Sequence, residues 1–85
     1  RENTRITFYM PSDGRVTLKL FTITGRPVKT LLENEVRSAG LHQDIYWDGT
    51  NGRGETVLNG VYYLMLKVHV AGKEEVLKRK VAVVR

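Results

Sequence analysis

Apolar side chains recur at every second position through much of this chain, and that period decides what it can fold into. Ile6, Phe8 and Met10 alternate over residues 5–10, and Val16, Leu18 and Leu20 over residues 15–20. Tyr62, Leu64, Leu66, Val68 and Val70 do the same over residues 61–70, with Tyr63, Met65, Lys67 and His69 opposite. A period of two puts every apolar member on one side of an extended strand, whereas a helix needs a stripe at three- and four-residue spacing. No segment holds such a stripe. Turn-forming Gly, Asn, Asp and Pro separate the alternating runs, so six or seven strands in an all-β sandwich or small barrel are expected.

The runs differ in clarity. Pro11 stops the first, and the turn that follows has Pro11 to fix φ and Gly14 free to take positive φ. In residues 15–24 the apolar phase moves to Phe21 and Ile23, which implies a bulge, a bend or a strand covered on both faces. Gly25 ends that run, and Val28, Leu31 and Leu32 continue it. Residues 33–40 are the least patterned and read as a loop, with at most a short strand. Residues 41–48 alternate Leu41, Gln43, Ile45 and Trp47 against His42, Asp44, Tyr46 and Asp48, and the face of Ile45 and Trp47 should point inward. The last run places Leu77, Val81 and Val83 on one face with Arg79. With no repeat and no linker, residues 1–85 read as a single domain.

Composition narrows the function. The 41% hydrophobic and 27% charged content suits a folded chain with a modest core. No run of roughly 18 apolar residues occurs, so no membrane-spanning segment is expected. The absence of cysteine removes disulfides, thiolate metal sites and thiol catalysis together. The net charge of +5 raises nucleic acid or acidic surfaces as partners. Its distribution weakens that idea, and no nucleic acid is expected: residues 1–43 hold seven basic and four acidic side chains, residues 44–85 seven and five, and the one dense run, Lys78, Arg79 and Lys80, follows Glu74 and Glu75 and reads as a solvated strand face. A chain that opens on Arg1 rather than methionine is expected to be a piece of a longer protein.

Residues 44–64, DIYWDGTNGRGETVLNGVYYL, concentrate the candidate chemistry. Asp48, Thr50, Asn51 and Glu55 offer oxygens to a cation, but counting from Asp48 the EF-hand positions three, five and twelve fall on Thr50, Gly52 and Asn59, and the match fails. The glycines at 49, 52 and 54 reverse the dinucleotide-binding spacing, and no Gly-Lys-Ser/Thr follows. His42 and His69 lie on polar strand faces without a neighbouring nucleophile, so neither an enzyme nor a cofactor is expected. Turn chemistry explains more. Asp48 can accept from backbone N–H groups just ahead in an Asx-turn, and Asn59-Gly60 suits a type I′ turn closing a second hairpin. Trp47 reads as core. A rival reading makes His42, Tyr46 and Tyr63 an exposed face that stacks on a polysaccharide or other flat ligand. A third makes residues 5–10 or 76–84 an edge that pairs with another chain.

The ordered set of motifs resembles the FlgD-like immunoglobulin-like domain and the similar C-terminal sorting domain of type IX secretion cargo. It comprises Asn3, Thr4 and Ile6; Gly14, Val16 and Leu18; Gly25 and Val28; Ala39, Gly40 and His42; Trp47, Asp48 and Gly49; Gly54; and Gly60, Val61 and Tyr62. The resemblance implies an immunoglobulin-like (fibronectin III-like) β-sandwich of about seven antiparallel strands, without a catalytic, cofactor or metal site. It marks Gly25, Gly40, Trp47, Asp48, Gly49, Gly54, Gly60 and Tyr62 as structural. It further implies the C-terminal module of a secreted or cell-surface bacterial protein, acting in sorting, anchoring or protein contact. Its partners would be the secretion machinery, other domains of the parent or neighbouring subunits, as in a flagellar hook-cap scaffold. Thr22 stands where these families often carry aspartate, which should cost a local hydrogen bond.

Overall fold

In the computed structural model residues 4–84 are described, so Asn3 of the opening motif and Arg85 lie outside the described residues. Six antiparallel strands follow one another: β1 (Thr4–Met10), β2 (Gly14–Thr22), β3 (Pro27–Arg37), β4 (Gly40–Trp47), β5 (Gly60–Val70) and β6 (Lys73–Val83). β1 and β4 form a two-stranded sheet, and β3-β2-β5-β6 a four-stranded one. The architecture is an all-β, immunoglobulin-like sandwich with six strands among the described residues rather than seven. The difference lies after Trp47. The hairpin expected over residues 55–60 does not form, and that stretch contributes only an isolated bridge, Thr50 to Thr56.

The alternating residues meet between the sheets. Ile6, Phe8 and Met10 of β1 and Trp47 of β4 pack against Val16, Leu18 and Leu20 of β2 and Tyr62, Leu64 and Val68 of β5. Burying one such aliphatic or aromatic side chain stabilises the fold by about 1.5–3 kcal/mol. This is the main term holding together a chain with no covalent cross-link.

Residues 33–37, expected as a loop, belong to β3, and the reason they lack pattern is visible in its pairing. The β2–β3 register shifts three times, between Val16 and Leu18, Leu18 and Lys19, and Leu20 and Phe21. Each shift inserts a residue in β3 and turns the following side chains to the other face. Asn34 takes φ 50° at one of them. Its N–H donates to Thr17 Oγ1 at 3.0 Å, while its carbonyl accepts from Arg15 Nη1 at 3.0 Å. Thr17 is itself buried, so this bulge also satisfies a buried hydroxyl.

Two local expectations are corrected. Gly14 is absent from the positive-φ residues. It is needed for closeness instead: a Cβ there would sit 2.3 Å from the His69 carbonyl oxygen. Thr22 loses no hydrogen bond, because its Oγ1 accepts from the Arg26 N–H at 3.0 Å. The phase change at Phe21 meets a register shift of the β2–β3 ladder between Leu20 and Phe21; Phe21 lies on the outer side of β2, opposite Tyr63, and Ile23 is exposed in the turn beyond the strand.

The β5–β6 hairpin turns through Ala71 and Gly72 at φ 51° and 77°, with Val70 facing Lys73. Two successive positive φ values define a type I′ connection, which matches the twist of the flanking strands. Alanine is strained there and asparagine is not. Ala71→Asn should therefore raise stability by about 0.5–1 kcal/mol, read as a higher urea midpoint at unchanged slope.

Candidate functional site

The Gly-rich stretch after Trp47 is closed by its own side chains. Asp48 Oδ1 accepts from the Thr50 N–H at 3.1 Å and from Thr50 Oγ1 at 2.6 Å, forming the expected Asx-turn. Lys29 Nζ reaches the same group from β3, 2.9 Å from Thr50 Oγ1 and 3.6 Å from Asp48 Oδ1. Asn51 Oδ1 accepts from the N–H groups of Arg53 and Glu55, at 2.9 and 3.0 Å, and its Nδ2 donates to Glu55 Oε1 at 2.9 Å. The four oxygen-bearing residues weighed as cation ligands are thus engaged with one another and with the backbone. Among the described residues no group of three His, Asp or Glu side chains converges on a metal position.

The loop is also fastened to the core. Trp47 Nε1 donates to the Thr50 carbonyl at 2.8 Å, and the indole meets the Tyr62 ring edge-on, centroids 5.7 Å apart. Tyr62 OH donates to the Leu58 carbonyl at 2.6 Å, a tyrosine corner of the kind such sandwiches use where a loop enters a strand. Gly52 N–H donates to the Val28 carbonyl at 2.9 Å, tying the tip of the loop to β3. Gly25, Gly40, Gly49 and Gly54 all take positive φ, and Gly60 opens β5. Removing the Asp48 carboxylate leaves the buried Thr50 hydroxyl and N–H short of an acceptor. Asp48→Ala should cost about 1–3 kcal/mol in urea unfolding, and Asp48→Asn, which keeps an oxygen there, clearly less.

The three residues offered as a ligand-stacking face do not share one. Opposite Thr7, β4 carries two residues, Gln43 and Asp44, since Ile6 pairs with Ile45 but Phe8 with His42. The extra residue inverts the phase of β4 beyond it. Leu41 is consequently exposed, and His42 turns to stack on the buried Phe8, centroids 5.1 Å apart and planes 19° from parallel. His42 Nε2 lies 2.7 Å from the Ser38 carbonyl, so its proton sits on Nε2 and donates there. Tyr46 remains on the outer side of the small sheet, where Arg5 Nε and Nη2 donate to its hydroxyl at 3.2 and 3.0 Å. Tyr63 lies on the outer side of the large sheet, beside Phe21 and Met65. The two tyrosines look out from opposite sides of the sandwich.

A feature without a sequence signal lies along the open side. Two strands cannot cover four, and the inner face of β6 extends past the edge of β1. Leu77 is 56% exposed although it faces inward opposite Leu66. Two hollows of about 110 and 250 Å³ run in series there, sharing Leu66 and Leu77 as walls. The first lies against Thr4–Phe8 of β1 and is rimmed by Arg5, Lys78 and Arg79; the second lies against Tyr9 and Pro11. Among the described residues Lys78 and Arg79 take part in no ion pair. No helix long and apolar enough to cross a membrane occurs among the described residues.

No protein-family model and no curated protein matches the chain. Its structure is similar to the crystal structure of FlgD from P. aeruginosa, with a TM-score of 0.76 and 18% sequence identity. The match covers 95% of this chain and 62% of that one, so the chain spans under two thirds of the solved protein. At this identity the likeness concerns the fold, and the fold the two share is a FlgD-like β-sandwich.

Proposed function

We propose that this chain is a non-catalytic protein-contact module of a secreted or cell-surface bacterial protein, serving assembly, anchoring or sorting of its parent. The observation that carries the reading is the apolar strip on the open side of the sandwich. Leu77, Leu66 and Val81 face a hollow at a cationic rim, on a domain whose polar loop is closed upon itself. The structural likeness to FlgD supports an assembling role, in keeping with the scaffold part that the sequence resemblance implies. Export sorting rests on the sequence motifs.

The test compares the native protein with and without residues 1–85 by cell fractionation and native electrophoresis. Removal should leave any activity of the remaining protein intact while releasing it from its complex or its location. Unchanged location together with an unchanged complex contradicts the reading.

A further inference from the structure

Resting on the contact-module reading, we propose that the open side of the sandwich is an acceptor site for a β-strand. The occupant is an extended segment of a partner protein, apolar at alternate positions and acidic between them. It adds to the free edge of β1 and lays its apolar side chains on Leu66, Leu77 and Val81.

The strand edges single out β1. The large sheet ends in β3, whose ladder is broken by three register shifts, one of them at Asn34, and in β6, which carries Glu74, Lys78 and Lys80. β4 carries the extra residue of the small sheet, at Gln43 and Asp44. Bulges and charges of this kind are what keep an edge from pairing with other chains. β1 has neither: its sequence TRITFYM holds one charge, Arg5, and no proline or glycine, and its irregularity is borne by β4. Its far edge has no strand partner among the described residues.

The floor beside that edge suits a strand. The two hollows follow each other along β1 and share Leu66 and Leu77. A strand presents same-side residues about 6.6–6.8 Å apart, so consecutive inward side chains of an added strand would enter consecutive hollows. Main-chain pairing to the edge supplies affinity in such an arrangement, and the alternate side chains supply specificity.

Charge selects the partner. The first hollow is lined by Arg5, whose guanidinium also holds the Tyr46 hydroxyl, by Lys78 and Arg79, and by no acid; the second is lined by Lys73 and one acid, Glu75, so cations outnumber acids along the strip. A second copy of this chain brought edge to edge would set the same three cations against one another on molecules of formal charge +5. An acidic segment meets the opposite field.

The probe is a synthetic peptide of about nine residues alternating glutamate and valine, titrated into the isotope-labelled chain and followed by NMR. Shift changes and slowed amide exchange are expected along β1 and on the inner face of β6, and not along β3 or β4. Replacing glutamate by lysine, N-methylating the amides of one peptide edge, or introducing Leu77→Lys should each weaken binding at least about tenfold. Leu77 is exposed enough for that variant to fold, and Thr7→Pro tests the edge independently. Several outcomes overturn the proposal: no binding at about 1 mM peptide, equal binding of the N-methylated or lysine peptides, changes confined to β6's outer edge, or dimerisation of the chain alone through β1. If the native protein keeps its complex with Leu77→Lys in place but loses it when residues 1–85 are removed, the acceptor site fails and the contact-module reading stands.

Discussion

Trp47→Ala should leave the domain at the margin of folding. Trp47 is 1% exposed, packs edge-on against Tyr62, and donates its indole N–H to the Thr50 carbonyl. Truncating a buried tryptophan costs about 3–5 kcal/mol. A domain of this size is stable by only on the order of 5–10 kcal/mol. The damage should spread outward, because the Thr50 turn that holds Asp48 and Lys29 hangs on the same indole. Trp47→Phe separates the contributions: it keeps an aromatic ring against Tyr62 but strands the Thr50 carbonyl, and should cost about 1–3 kcal/mol. Trp47 is the only tryptophan, so unfolding in urea is best followed by circular dichroism. A loss below about 1.5 kcal/mol for Trp47→Ala would contradict its place at the centre of the core.

Gly14→Ala is expected to cost about 3 kcal/mol, through crowding rather than loss of contacts. The added methyl would lie 2.3 Å from the His69 carbonyl oxygen and 2.9 Å from Val70 Cγ2. The nearer atom is main chain in the neighbouring strand, so relief requires β2 and β5 to separate at that end. Faster amide exchange should appear around His69 and Val70 before the rest of the sheet is affected. Gly25→Ala is the control. Its Cβ meets no atom within 4 Å and φ is 92°, so it should show the left-handed backbone penalty of about 1–2 kcal/mol without opening the sheet.

How much of this was legible in the sequence follows from where pairing is regular. β1, β2 and β5 each bury one face, and Ile6, Phe8, Val16, Leu18 and Leu64 announce themselves by alternation. In β3 one of three inserted residues falls at Glu33 and Asn34 and resets the phase there, so Glu33–Arg37 carries a strand's hydrogen bonding without a strand's pattern. β4 is half legible: Ile45 and Trp47 point inward as the period requires, while the bulge at Gln43 and Asp44 exchanges Leu41 with His42. That exchange dismantles the candidate face of His42, Tyr46 and Tyr63.

The loop divides in the same way. The Asx-turn of Asp48 depends on a residue two positions ahead and could be read locally. The hairpin at Asn59-Gly60 could not be excluded locally, because what replaces it is Asn51 closing onto Arg53 and Glu55 with Gly52 tied to β3. The open side of the sandwich has no sequence signal. It arises because two strands are laid over four, a consequence of long-range pairing.

The proposed contact site is the open side of the domain and not its Gly-rich loop, and one measurement weighs the two directly. A photo-crosslinking side chain is placed at Leu77 in the native, assembled protein, and in parallel at Leu58, which is 83% exposed beside the loop. A crosslink to one partner protein is expected from position 77, lost when Thr7→Pro is added, and little or none from position 58. Efficient crosslinking from position 58 with none from position 77 would contradict it.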